Sequence, residues 1–170
     1  MAQASAVLKP KSHDEDIDIG LEKAYRETMA ESLSQILAAT YRLTIKSHVY
    51  HWNVVGPLFK PLHDLTEEHY GVLFNAADII AERIRALGHL APASLGEAAD
   101  FAPQAKDVDK FTAISMVNDL VADHEAAVKT MRKAAEAADE AGDVVTADML
   151  TDRLTFHEKA LWMLRAIIAE

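Results

Sequence analysis

His51, His63, Glu67, Asp78 and Glu82 bring two imidazoles and three carboxylates into one short stretch of the chain. These are the donor types that hold iron, manganese or zinc. Their spacing also bears on assembly. His63 with Glu67, and Asp78 with Glu82, are i,i+4 pairs that can each chelate from one face of a helix. His63 and Asp78 are fifteen residues apart, about 22 Å of helical rise. A single straight helix cannot bring both pairs to one ion. If all five act together, two chains must meet.

The elements that position these residues read as helices. Gly and Pro are scarce, half the residues are apolar, and there is no Cys. The chain therefore holds no disulfide, thiolate zinc site or thiol nucleophile, which fits a reducing compartment. Residues 1–17 read as a flexible tail with little apolar content, and 18–170 as one domain. No secretory signal peptide and no membrane span is expected. Apolar periodicity predicts a first helix from about Gly20 to Trp52, broken by Asn53 to Pro57. A second starts near Pro61 and runs to about Leu87, with Gly88 as its C-cap. Pro92, Gly96 and Pro103 punctuate a long connection, 89–106, which is expected to hold a short helix at Ser94–Asp100. The third helix runs from about Val108 to Ala141. Gly142 ends it, Asp143 caps the fourth, and the fourth reaches the C-terminus. Two short connections and one long one predict an all-α four-helix bundle with a single long crossover.

On a helical wheel with His63 at zero, Glu67 falls at about 40°, Asp78 at about 60° and Glu82 at about 100°. Leu65, Val72, Ala76, Ile79, Ile80 and Leu87 cluster on the opposite side, which is expected to face the chain's own core. The ligand stripe also carries Gly71 and Phe74, unusual on a solvated face, so it reads as a subunit interface. Two antiparallel copies would set 63/67 of one chain beside 78/82 of the other, crossing near Gly71. His51, at the end of the first helix, could complete each of two equivalent sites. The competing reading is a set of unrelated solvated charges and interface histidines. No His has Glu three residues before it, and no HExxH, phosphate loop or nucleophile elbow appears.

The same window resembles the Dps-type miniferritins, a ferritin-like family. The resemblance rests on His51-Trp52-Asn53-Val54-Val55-Gly56-Pro57, Leu62-His63-Asp64 and Asp78-Ile79-Ile80-Ala81-Glu82-Arg83. It continues through Gly142-Asp143, Thr146-Ala147-Asp148 and Leu161-Trp162. It implies a hollow homo-dodecamer of four-helix subunits, ferrous oxidation typically by hydrogen peroxide, and storage of the ferric product. It implies a catalytic site at the dimer two-fold, with iron held by His51 and His63 of one chain and by Asp78 and Glu82 of the other. Zinc can occupy such a site in crystals. Position 67 is often Asp in the family. Glu67 here leaves open whether it binds directly or through water. Glu140, Asp143 and Asp148 lie where the family lines its iron-entry pores; the alternative is a capped, solvated turn.

Other residues are read more plainly. Trp52 adjoins His51, where it could pack on the site or absorb stray oxidising equivalents; packing in the core or at an interface is the favoured reading. His48, one turn before His51, is a candidate neighbour of the site. His69 reads as a buried histidine. His13, His89, His124 and His157 show no partner pattern, and Trp162 reads as an anchor for the last helix. The formal charge of −10 disfavours nucleic acid. Lys9 and Lys11 are outnumbered by nearby acids, so DNA binding is expected to be weak or absent. The rival function is a nonenzymatic nucleoid or stress-structure cage that binds DNA or metal passively. A cytoplasmic location is expected, with nucleoid association as the alternative.

Overall fold

Side chains and glycines set several of the helix ends. The computed structural model describes residues 11–93 and 112–169. Over these, the chain forms α1 (Lys23–Asn53), α2 (Phe59–Ala86), α3 (Ala113–Glu140) and α4 (Val144–Ile167), with no strand among the described residues. Two helix ends use the same device. Gly88 (φ +91°) and Gly142 (φ +72°) adopt the left-handed conformation that L side chains resist. The next amide then reaches back: His89 N donates to Ile84 O at 3.2 Å, and Asp143 N to Ala138 O at 2.8 Å. These are Schellman closures of α2 and α3. Thr112 and Ser115 form a reciprocal capping box at the start of α3.

α1 pairs antiparallel with α2, and α3 with α4, and the two hairpins pack face to face. Arg132 and Arg165 reach Glu158 and Glu125 across the second hairpin. Lys46, late in α1, binds Asp119 and Asp123, early in α3, at 2.8 and 2.7 Å. α1 and α3 are therefore antiparallel, which makes α2 and α3 parallel. The short helix expected at Ser94–Asp100 lies outside the described residues.

The core is filled by Leu33, Ile36 and Leu43 of α1, Leu62, Leu73, Ile80 and Ile84 of α2, Met116, Leu120 and Met131 of α3, and Leu150 and Leu164 of α4. Each such side chain contributes roughly 1.5–3 kcal/mol of burial free energy. Thr40, Thr44 and Thr66 are buried too, and donate to carbonyls one turn back at 2.7–2.8 Å.

Three expectations need adjusting. The buried face of α2 is rotated from the one read off the wheel, because Thr66, Ala77 and Ile84 extend it on one side. Ile79 is left half-exposed on the other side, and Val72 is only partly covered. Trp162 does not anchor α4 in the core; it is 67% exposed, and Leu161 and Leu164 are buried beside it. The acidic run expected within a flexible tail is tied to the end of α2. Glu15 N donates to Gly88 O at 2.7 Å, Leu90 N to Asp14 Oδ1 at 2.9 Å, and Arg85 pairs with Glu15 at 3.0 Å.

Candidate metal centre

The end of α1 and the start of α2 bring His51 and His63 into stacked contact, ring centroids 3.8 Å apart and 16° from parallel. Each ring binds the other residue's backbone. His51 Nδ1 lies 2.9 Å from His63 O, and His63 Nδ1 lies 2.9 Å from His51 O. A carbonyl oxygen only accepts, so both Nδ1 atoms carry the proton. In the neutral ring each Nε2 then keeps a lone pair, the form in which imidazole binds a metal. Thus two turns of backbone fix the tautomer of two candidate ligands. Both side chains are half-buried.

Aromatic groups brace the pair. Phe59 stacks on His63 at 4.9 Å. Tyr70 sits edge-on to His51 at 5.5 Å and packs on His48 at 3.8 Å, and His48 stacks on Trp52 at 5.2 Å. Burial, and then the nearby His51, lowers the His48 pKa. The Tyr70 hydroxyl lies 3.5 Å from Glu67 Oε1. Partial desolvation, and then the Glu67 charge, raises the Tyr70 pKa. The sequence reading missed Tyr70. It lies seven residues after His63, about 20° from it on the wheel, and its position could have flagged it.

Glu67, Asp78 and Glu82 are exposed along α2. The helix is continuous from Phe59 to Ala86, so the full rise of about 22 Å separates His63 from Asp78. Within one chain the imidazoles and distal carboxylates stay apart, and no cluster of three metal-ligating groups forms among the described residues. The stripe that carries them also exposes Phe74. A Cβ at Gly71 would meet nothing within 4 Å.

At the other end of the molecule Asp143 differs from its neighbours. It is 3% exposed and caps α4, accepting from Thr146 N at 3.0 Å and Thr146 Oγ1 at 2.6 Å. Arg83 Nη2 donates to it at 2.7 Å and the Tyr25 hydroxyl at 2.9 Å. Burial alone would raise its pKa, but the bonds from Thr146, Arg83 and Tyr25 outweigh burial and hold it below the usual carboxylate value. This carboxylate is therefore committed to the fold rather than offered to a pore. Glu140 and Asp148 are exposed on either side of the turn.

The ferritin-like domain family matches residues 30–170. A DNA protection during starvation protein of Deinococcus radiodurans is 38% identical over 152 residues, covering 87% of this chain and 72% of its own. The chain is a Dps-type miniferritin of the ferritin-like family. A low temperature-induced protein of Nostoc sp. is 42% identical over 156 residues, covering 89% of this chain and 86% of its own. The crystal structure of a Dps protein from Vibrio cholerae superposes with a TM-score of 0.79 at 28% identity, over 94% of this chain and all of that one. That protein is described as a member of a broad superfamily of ferritin-like diiron-carboxylate proteins. For this miniferritin, membership implies iron storage and protection under stress. No helix among its described residues is long and apolar enough to cross a membrane.

Proposed function

We propose that this chain is a ferroxidase that oxidises Fe(II) with hydrogen peroxide at sites shared between two subunits. It stores the ferric product inside a cage of twelve chains and so removes both reagents of oxidative damage. The observation that carries this reading is the reciprocal bonding of His51 and His63, which leaves two Nε2 lone pairs at one place on the surface. His51, His63 and Glu67 would form one half-site, with Asp78 and Glu82 of a second chain as the other. Glu67 binds directly or through water, and Tyr70 sets its carboxylate. The oxygen-rich donor set favours the harder ferric ion over the ferrous. Two ferrous ions give one electron each, the O–O bond of peroxide breaks, and with two protons it leaves as two waters. Pairing the electrons avoids hydroxyl radical. The exposed Glu140 and Asp148 would focus cations at the entry route. The acidic chain would bind DNA weakly or not at all at physiological salt, and would work in the cytoplasm.

The test is anaerobic ferrous loading followed by separate peroxide and oxygen pulses, with assembly mass measured alongside. Rapid ferric formation with peroxide, lost in Glu82→Ala at unchanged mass, supports the reading. Equal rates in the two proteins overturn the site. A clear gel shift with DNA at physiological salt, with no catalysed oxidation, favours the passive cage instead.

A further inference from the structure

A second histidine pair lies inside the bundle and takes no part in the proposed iron chemistry. His124 of α3 and His157 of α4 are 0% and 1% exposed. Their Nδ1 atoms lie 2.8 Å apart. An N–H···N bond at that distance needs one protonated and one bare nitrogen, so at least one ring must be neutral. The outer nitrogens, Nε2 of both rings, have no hydrogen-bond partner among the described residues.

The surroundings offer no support for a second charge. Phe156 packs against both rings, at 6.2 and 5.2 Å between centroids. From α2, His69 lies edge-on to His124 at 5.9 Å. From α4, the Arg153 guanidinium acts on His157 with the same sign as an added proton. The carboxylates near the pair in sequence point elsewhere. Asp119 and Asp123 are held by Lys46 of α1, and Asp119 also by Tyr50. Glu125 is turned outward to Arg165, and Glu158 to Arg132.

We propose that the His124–His157 bond is an acid-sensitive latch between α3 and α4. It holds while at least one ring is neutral and opens when both take protons, loosening the second hairpin of the bundle. Burial, and then the neighbouring positive charges, lowers both pKa values. The sign follows from that direction. Unfolded, both rings take protons near the ordinary value of about 6.5; folded, they resist. The contribution to stability is complete above about pH 6.5 and is lost as pH falls below it. The unfolding equilibrium constant then rises up to about tenfold per pH unit for each ring, or about a hundredfold for the pair.

The experiment is denaturant unfolding of the assembled protein at several pH values between about 7.5 and 4.5, with mass followed by light scattering. Wild type is compared with His124→Gln and His157→Gln separately. The expected result is a steep acid loss of stability in wild type that each substitution flattens by up to about tenfold per pH unit. If one variant fails to fold, the other carries the comparison. Equal slopes in wild type and variant overturn the latch. So does imidazole NMR that shows both rings titrating near the ordinary value in the folded assembly. Stoichiometric cobalt binding that disappears in His157→Gln also overturns it, because the pair would then be a ligand set.

Discussion

The two histidine pairs differ in what their Nδ1 protons meet. At the surface, His51 and His63 each donate to a backbone carbonyl of the other residue. Inside, His124 and His157 share one proton between two nitrogens. The outer arrangement gives each ring its own acceptor and frees both Nε2 atoms for a cation. The inner one leaves both Nε2 atoms buried and unpartnered, so it gains nothing from charge and depends on neutrality. The same residue type is a candidate ligand where main-chain oxygen takes the Nδ1 proton, and the proposed latch where a second imidazole does. The outer pair should therefore govern chemistry at little cost in stability, and the inner pair stability at little cost in chemistry.

The largest effect should come from the outer site. His51→Ala and Glu82→Ala are each expected to slow peroxide-driven ferrous oxidation by about a hundredfold or more, since disturbing even indirect partners of a metal commonly costs 10–100-fold. Both should leave denaturant stability within about 1 kcal/mol of wild type, and stopped-flow absorbance with urea titration reads the two together. A variant that lost stability but kept its rate would reverse the assignment of the pairs. His157→Ala should do the opposite. Removing a buried ring is expected to cost about 2–4 kcal/mol at neutral pH, seen as an earlier urea midpoint, with the oxidation rate per assembled chain unchanged.

A third change asks whether a partner chain completes the outer pair. A Cβ at position 71 meets nothing within 4 Å inside its own chain, and Gly71→Leu replaces a poor helix former with a good one, worth roughly 0.5–1 kcal/mol in α2. The isolated fold should therefore persist. If two α2 helices cross at this point, the added side chain should lower the assembly mass on size exclusion and reduce oxidation several-fold. Unchanged mass and rate would move the crossing elsewhere. The smallest effect is expected from Tyr70→Phe, which keeps the ring beside His48 and His51 but removes the hydroxyl near Glu67. It should raise the half-saturating ferrous concentration by a few-fold and leave the maximal rate nearly unchanged. A loss equal to that of Glu82→Ala would make Tyr70 a direct participant.

Much of this was legible along the chain because the signals are local. Gly88 and Gly142 announce helix ends, since only glycine is comfortable at the φ those closures need. Asp143 reads as a cap from its place before a helix. The ligand stripe follows from a fixed rotation per residue. What was not legible depends on contacts between helices. His124 and His157 sit on separate helices, and nothing in their local sequence says that they touch. Arg83 and Tyr25 reach Asp143 from two other helices, so a carboxylate read as open to solvent is fully engaged. The packing of α2 against its neighbours leaves Ile79 half-exposed.

Gly88 also serves as a seat. A Cβ there would lie 2.6 Å from Glu15 O, so the position that stops α2 also receives the leading segment of the chain. Protein engineers who wish to display a peptide or dye on this molecule inherit a rule from that contact. Fusions joined before Lys11 leave the docked backbone of Glu15 and the side chain of Asp14 in place. A truncation past Asp14, or a bulkier residue at 88, would unseat the attachment point, and with it the defined origin from which any appended cargo projects.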